Sequence, residues 1–216
     1  MVSKNLNVFP RRLKQIELFL FDFDGVFTSG KKGENFNQRD LMGISMLRFG
    51  YYLISKKIPE IGIVTGENNE IAKNLAQREH FNYIFLGVRD KKSILKLLGK
   101  KGEVDLLKAA IIYDDINDLS LVEKTGLRFL VNQPGSSIFH ELLKKQKKYD
   151  YLTKSLGGQG AVREICELIL DSLGIYSQCV GHRASFSKTY QEYWQLINSI
   201  DSSCFISKEN KLQQIK

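Results

Sequence analysis

Two carboxylates close an apolar run near the start of the chain. Asp22 and Asp24 follow the apolar residues of the stretch LFLFDFDGVFTSG, and Gly25 comes directly after them. A charge at the end of so apolar a run is costly unless something compensates it. Carboxylates of this kind suit Mg²⁺, and aspartate is also a covalent nucleophile that forms an aspartyl-phosphate. We therefore favour a chemical role over an acidic surface turn without a ligand.

Polar residues also close two later apolar segments. Thr65 follows EIGIV, and Asp114 and Asp115 follow AAIIY. In an open parallel sheet, ligands bind beyond the carboxyl ends of the strands, so these residues should meet Asp22 at one edge. Carboxylates brought together would repel, and one would take up a proton unless a cation intervened. The spacing thus predicts an Mg²⁺ site at this edge.

The segments that position these residues alternate in type along the chain. Short, almost continuously apolar segments predict strands over 17–22, 60–65, 83–87, 109–114 and 127–131. Helical patterns cover 40–56, 67–79, 90–99, 117–125, 136–145 and 161–173. Strands that alternate with helices indicate βαβ units, and strands this apolar are typical of a parallel sheet covered on both faces.

Composition bounds the class of protein. The chain has 216 residues, 43% hydrophobic and 26% charged, with a net charge of +8. The basic balance favours anionic partners such as a phosphorylated metabolite, but the basic clusters lack interleaved aromatics and any nucleic-acid motif, so no nucleic-acid partner is expected. No run is long enough to span a membrane, and we see no secretory signal, which predicts a cytoplasmic protein without membrane contact.

The cysteines favour neither a disulfide framework nor a zinc site. Cys166, Cys179 and Cys204 are odd in number, widely spaced and without a Cys-x-x-Cys pair. We expect buried thiols without a chemical role.

Four motifs together resemble the haloacid dehalogenase superfamily. They are DFDGVFTS, IVTGE with Thr65, GVRDKKSIL with Lys91, and YDDINDLSLVEKTGL, in this order. Two further segments, FNQRDLMGI (36–44) and YLTKSLGGQGAVREICELIL (151–170), resemble one capless phosphatase subfamily. That subfamily acts on 3-deoxy-D-manno-octulosonate 8-phosphate and related nonulosonate 9-phosphates. The resemblance covers roughly residues 16–173.

The resemblance implies a fold and an activity. The fold would be an α/β, Rossmann-like three-layer sandwich with a central parallel sheet, no large cap domain and a small β-hairpin insertion after the first strand. The domains would be an N-terminal extension (1–15), a phosphatase domain (16–174) and a C-terminal helical extension and tail (175–216). The activity would be Mg²⁺-dependent phosphomonoester hydrolysis on a 2-keto-3-deoxy sugar acid phosphate. Relatives form tetramers, so a homo-oligomer is expected.

The resemblance also assigns roles to residues at matching positions. Asp22 would be the nucleophile, and Asp24 would protonate the leaving group and then activate water. Thr65 and the amide of Gly66 would hold phosphate oxygens, and Lys91 would neutralise charge.

The resemblance also implies which residues bind Mg²⁺. The direct ligands would be Asp22, the backbone carbonyl of Asp24 and Asp114. Asp115 and Asp118 would support the ion from nearby or through water. Gly25 would let the backbone approach the phosphate. Arg39 would reach the sugar carboxylate, although a surface ion pair with Asp40 is the alternative interpretation. Gln159 would contact substrate where relatives commonly have arginine.

Departures from the pattern leave other functions open. Tyr113 replaces the usual glycine and either narrows the site or points away, and the segment from Thr28 to Arg39 is shorter than the usual hairpin. A catalytically weak relative that serves as a binding or assembly module, or a phosphatase for another small metabolite, are the alternatives.

Beyond residue 174 the resemblance ends. Residues 183–200 carry an aromatic and aliphatic stripe, which predicts a helix docked on the core or, alternatively, an oligomer contact or lid. The stripe consists of Phe186, Tyr190, Trp194, Ile197 and Ile200. The tail SKENKLQQIK is expected to be frayed.

Overall fold

The computed structural model describes residues 8–31, 33–100, 105–209 and 211–215. Within them, eight strands form one sheet in the order β6-β5-β4-β1-β2-β3-β7-β8. The strands are β1 (Leu18–Asp22), β2 (Glu60–Val64), β3 (Tyr83–Leu86), β4 (Ala109–Tyr113), β5 (Leu127–Asn132), β6 (Tyr151–Leu156), β7 (Ser203–Lys208) and β8 (Lys211–Ile215). All neighbouring pairs are parallel except β7 and β8.

The helices follow the strands in alternation through most of the chain. They are α1 (Val8–Leu13), α2 (Gln38–Ser55), α3 (Glu70–Arg78), α4 (Lys92–Lys100), α5 (Leu119–Val122), α6 (Ser137–Lys145), α7 (Ala161–Ser172), α8 (Tyr176–Ala184) and α9 (Lys188–Asn198). A short 3₁₀ turn, Ile116–Asp118, precedes α5.

The sheet is buried on both faces, as the continuous apolarity of its strands predicts. Every residue of β1 and β4 is buried. One face packs against Leu41 of α2, Ala72 of α3 and Ile165 of α7. The other packs against Ile94 of α4 and Leu143 of α6. The predicted three-layer α/β arrangement is confirmed, and the described residues contain no separate cap domain.

The N-terminal segment docks on this core from residue 8 onward. Leu13 is fully buried. The rings of Phe9 and Phe129 meet edge to face, with their centroids 6.2 Å apart. Arg12 also pairs with Asp150 at 3.0 Å.

The hairpin expected after the first strand is not formed. The described residues between β1 and α2 contain no strand. Instead, the amide and hydroxyl of Ser29 both donate to Oε2 of Glu34, at 2.7 and 2.6 Å. Gly30 and Gly33 adopt positive φ values of 84° and 76°. With few apolar residues to bury, the segment closes as a compact turn held by a side chain.

The expectation of a frayed tail is wrong for the described residues. β7 pairs with β3 and β8 returns beside β7, so the tail extends the sheet. The physical reason is pairing and packing: Ser207 pairs with Leu212 across the two strands, and Leu212 and Ile215 pack against the core. Just before this tail, Phe205 is buried and its ring stacks on Phe85 with centroids 5.4 Å apart. β7 thereby also protects the edge of β3.

The aromatic stripe before this tail lies partly on a helix docked on the core. Tyr190, Tyr193 and Ile197 of α9 are buried in a cluster with Phe49 of α2. Phe186 and Trp194, by contrast, remain about half exposed.

The three cysteines are free and buried, as predicted. In the part of the chain that is described, no helix combines the length and apolarity required to cross a bilayer.

Candidate active site

Three carboxylates converge at the carboxyl edge of the central strands. Asp22 is the last residue of β1, Asp114 follows β4, and Asp118 ends the short turn after it. β1 lies between β2 and β4, so these strand ends are neighbours. One carboxylate oxygen from each aspartate lies within 4.8 Å of the others. The strand endings predict that Asp22 and Asp114 meet, and the structure adds Asp118 to form a carboxylate cluster of Asp22, Asp114 and Asp118.

A buried lysine bridges two members of the cluster. Lys91 lies immediately before α4 and is only 3% exposed. Its ammonium donates hydrogen bonds to Oδ1 of Asp22 and to Oδ1 of Asp118. Burial opposes the charged form of Lys91, but these two carboxylates outweigh it and raise the pKa of the ammonium.

The cluster still carries more negative charge than one lysine compensates. Burial raises the pKa of Asp22 well above its usual range, the charge of Asp118 adds to the rise, and Lys91 offsets part of it. Burial, followed by the charges of Asp118 and Asp115, raises the pKa of Asp114 to about 7. Burial also raises the pKa of Asp118.

The cluster therefore suits a hard divalent cation. Oδ1 of Asp114 is buried and has no hydrogen-bond partner among the described residues. A cation would supply the missing partner and relieve the repulsion, and Mg²⁺ prefers carboxylate oxygens. The residues present fit an Mg²⁺ site.

Two further aspartates of the predicted set lie beside this cluster. The hydroxyl of Thr65 donates to Oδ2 of Asp24 at 2.9 Å, so the Asp24 side chain faces the end of β2. Asp115 is exposed, and its carboxylate accepts from the amide of Ile116 at 2.7 Å.

The loop after β1, which contains Asp24, requires glycine at position 25. Gly25 has φ of +87°, a conformation that side chains disfavour. A Cβ atom there would also overlap the carboxylate of Asp114. The glycine in Asp-x-Asp-Gly thus allows this loop to pass directly against Asp114, just beyond β4.

A glycine loop, residues 157–160 after β6, packs against the loop that contains Gly25. A Cβ on Gly157 would overlap the carbonyl of Gly25, and the amide of Gly158 donates to the carbonyl of Val26 at 3.1 Å. Gln159 is exposed in this loop. The loop therefore brings Gln159 to the side of the sheet where the carboxylates lie.

Two predicted substrate-binding residues lie outside the carboxylate cluster. Gly66 follows Thr65, but α3 begins only at Glu70 with Asn69 as its cap, so Gly66 is in a turn and not at a helix start. Arg39 is exposed in the first turn of α2. The alternative ion pair of Arg39 with Asp40 is not formed, because Asp40 is buried against α7.

Tyr113 points away from the carboxylates. Its ring is fully buried in the core between the sheet, α4 and α6, and its hydroxyl donates to the carbonyl of Lys148 at 3.0 Å. The side chain therefore does not narrow the site.

Gln133 is a site residue that sequence reasoning missed. Its Nε2 donates to the carbonyl of Gly25 and, at 3.1 Å, to Oδ2 of Asp114. It follows β5 directly, so the signal was a polar residue at the end of a further apolar strand.

The chain is similar to proteins of known activity. No model of a protein family matches it. It is 31% identical over 168 residues to the 3-deoxy-D-manno-octulosonate 8-phosphate phosphatase KdsC of Yersinia pestis, covering 74% of this chain and 82% of that protein. KdsC of Escherichia coli K12 is 29% identical over 178 residues, which cover 79% of this chain and 87% of the relative.

Solved structures give the same result. The Moraxella catarrhalis 3-deoxy-D-manno-octulosonate 8-phosphate phosphatase, crystallised with magnesium, phosphate and KDO, superposes with a TM-score of 0.67 at 28% identity. That match covers 84% of this chain and 99% of the other. The cobalt-bound Haemophilus influenzae enzyme gives 0.62 at 26% identity, over 77% of this chain and 94% of the other.

Proposed function

The chain belongs to the family of 3-deoxy-D-manno-octulosonate 8-phosphate phosphatases, and we propose that it hydrolyses a phosphorylated 2-keto-3-deoxy sugar acid in an Mg²⁺-dependent reaction. The substrate is 3-deoxy-D-manno-octulosonate 8-phosphate or a nonulosonate 9-phosphate. One observation carries the proposal: Asp22, Asp114 and Asp118 meet at the sheet edge, where the ammonium of Lys91 donates to Asp22 and Asp118.

The reaction would proceed through a phosphorylated enzyme. The carboxylate of Asp22 attacks phosphorus, and the bond from phosphorus to the sugar oxygen breaks. Asp24 gives a proton to that oxygen, then removes one from the water that hydrolyses the aspartyl-phosphate. The hydroxyl of Thr65, which donates to Asp24 at 2.9 Å, would orient this carboxyl and hold a phosphate oxygen.

Lys91 and a metal ion would neutralise the negative charge of Asp22 and of the substrate phosphate. Lys91 already contacts Asp22, so its ammonium would keep the nucleophile in place and stabilise the equatorial oxygens in the transition state. Asp22, Asp114 and the carbonyl of Asp24 would hold Mg²⁺, with Asp115 and Asp118 in support. When bound, Mg²⁺ supplies the positive charge that lets a carboxylate approach a phosphate dianion.

Recognition of the sugar acid would involve residues around this edge. We assign Arg39 to the substrate carboxylate, because its exposed guanidinium suits bidentate carboxylate binding. Gln159 would contact the sugar from the glycine loop, while Gly25 and the amide of Gly66 would border the phosphate. The buried orientation of Tyr113 argues against one of the reasons to expect a weak site.

We also propose a cytoplasmic homo-oligomer. Three free, buried thiols suit a reducing compartment. The tetramers that the resemblance implies support self-association, although a compact turn replaces the expected hairpin after β1. Light scattering of the purified protein measures the number of subunits directly.

A substrate panel tests the proposal. Phosphate release is measured with 3-deoxy-D-manno-octulosonate 8-phosphate, nonulosonate 9-phosphates and common hexose phosphates, with Mg²⁺ or with a chelator. We expect Mg²⁺-dependent turnover that prefers the carboxylated sugars and disappears in Asp22→Asn. Asp105→Asn, an equivalent change at an exposed cap, is the control. Mg²⁺ binding without turnover of any phosphoester would instead favour a binding or assembly module.

A further inference from the structure

The two sequence segments that distinguish the subfamily meet in one contact. Asp40 belongs to the first segment, and α7 begins within the second. Asp40 is fully buried, and its Oδ1 accepts a hydrogen bond from the backbone amide of Arg163 at 2.8 Å. Burial raises the pKa of Asp40 to about 6, although the amides of Arg163, Val162 and Gly160 oppose the rise.

This contact supplies α7 with a cap that its own sequence lacks. The residue at the N-cap position is Gly160, which has no side chain to accept from the first amides of the helix. An acidic side chain at a helix N-terminus satisfies such amides and interacts favourably with the helix dipole. Here the acid comes from a different helix, α2.

Close packing of the two helices makes the contact possible. A Cβ added to Gly43, one turn after Asp40, would come within 3.0 Å of the Cα of Arg163. A larger residue would therefore separate α2 from α7 and pull Asp40 away from the amides.

The N-terminus of α7 is continuous with the glycine loop of the candidate active site. Gly157 lies against the carbonyl of Gly25, and the amide of Gly158 donates to Val26 at 3.1 Å. A Cβ on Gly158 would also come within 2.8 Å of the Thr28 backbone. Thus the loop that follows the nucleophile is packed directly on the residues that lead into α7.

We propose that Asp40 is a positioning residue for the reaction: it anchors the start of α7, which holds the Gly157–Gly160 loop against residues 25–28 and so fixes the nucleophile loop. The proposal rests on the proposed function for its catalytic consequence. Asp40 touches neither the carboxylate cluster nor Lys91 and acts only through the backbone of α7.

The test compares three variants. Asp40→Ala removes the acceptor, and Asp40→Asn retains one acceptor oxygen without the charge. Ser187→Ala removes the cap of α9, whose hydroxyl accepts from the amide of Tyr190 at 3.2 Å, in the C-terminal extension. With saturating Mg²⁺ and 3-deoxy-D-manno-octulosonate 8-phosphate, we expect kcat to fall about tenfold or more in Asp40→Ala. Asp40→Asn should recover part of the loss, and Ser187→Ala should match wild type.

Amide hydrogen exchange gives a second readout that does not need turnover. In Asp40→Ala, the Gly158 amide should exchange about tenfold faster, while Ile63 in β2 exchanges as in wild type, because only the local contact opens. If Asp40→Ala does not fold, the same comparison is made in Asp40→Asn. Wild-type exchange at Gly158 in a folded variant overturns the proposal, as does wild-type kcat in Asp40→Ala. If the wild type hydrolyses no phosphoester, the proposed function fails and exchange alone decides the role of Asp40.

Discussion

Replacing Asp114 by asparagine should stabilise the protein in the absence of Mg²⁺. Burial and the charges of Asp118 and Asp115 raise the pKa of Asp114 from its ordinary value of 3.8 to about 7. This difference of roughly three pKa units corresponds to at most about 4 kcal/mol of folding free energy once the carboxyl is ionised. We expect asparagine to recover about 2 kcal/mol, because its amide must still be accommodated where the carboxylate was.

The effect depends on pH in a defined direction. A carboxyl whose folded pKa is raised binds a proton more tightly in the folded state, so its ionisation weakens the fold as pH rises. The penalty is absent below about pH 4, where both states are protonated, and complete above about pH 7. The difference in unfolding free energy between Asp114→Asn and wild type should therefore be near zero at about pH 4 and largest at about pH 8.

Denaturation with a chelator, followed by an Mg²⁺ titration, measures this effect. In a protein of 216 residues, about 2 kcal/mol raises the melting temperature by about 4–8 °C. Wild type should gain stability with Mg²⁺ because the ion binds only the folded state, and Asp114→Asn should lose most of that gain. Asp105→Asn should behave as wild type throughout. If Asp114→Asn is no more stable than wild type at high pH without Mg²⁺, the electrostatic account of the cluster is wrong.

Three further substitutions test separate parts of the structure. Gln133→Ala removes the side chain that donates to Gly25 and Asp114, so Mg²⁺ affinity or kcat should fall about 10- to 100-fold. Calorimetry measures the Kd for Mg²⁺, and an unchanged Kd together with an unchanged kcat would mean that Gln133 does not support the site. Tyr113→Phe should cost about 1 kcal/mol in urea denaturation while kcat stays at the wild-type level; a large change in kcat would mean that the ring borders the substrate. Phe205→Ala should destabilise the protein by about 3–5 kcal/mol because its ring is buried on Phe85, whereas a β7 that does not dock on β3 would make the same change neutral.

The central strands could be predicted from the sequence because their local pattern and their environment agree. β1, β2 and β4 are apolar at nearly every position and lie in the middle of the sheet, where both faces are covered. Their ends then define the site, since polar residues directly after such strands reach one edge. The strand ends therefore predict that Asp22 and Asp114 lie close together, as their carboxylates do in the structure.

The outer strands could not be predicted in the same way. β6 contains Thr153 and Lys154 and is only partly buried, and β8 is largely exposed. Strands of this kind form because a neighbour offers unpaired backbone groups, which is a tertiary condition and not a local pattern. β7 was missed for a related reason: its burial depends on the edge of β3 and on the ring of Phe85.

Side-chain contacts between distant segments were the least accessible to sequence reasoning. Asp40 and Arg163 are separated by 123 positions, and Gln133 reaches Gly25 across 108. Neither pair has a local signature, because each depends on how two elements pack. For Asp40 the sequence even suggested the wrong partner, since Arg39 is adjacent in the chain but points to solvent.

The close approach of the carboxylates that suits the cluster to a cation also makes it unfavourable for folding without one. Asp22 and Asp118 are buried, and Lys91 compensates only part of their charge. Such a cluster persists only if its surroundings hold it in place. The central strands supply most of that support through their buried side chains. Contacts from Gly157, Gly158 and Gln133 hold residues 25–28, which follow Asp22. Residues remote from phosphorus should therefore affect kcat more than their small share of the total stability suggests.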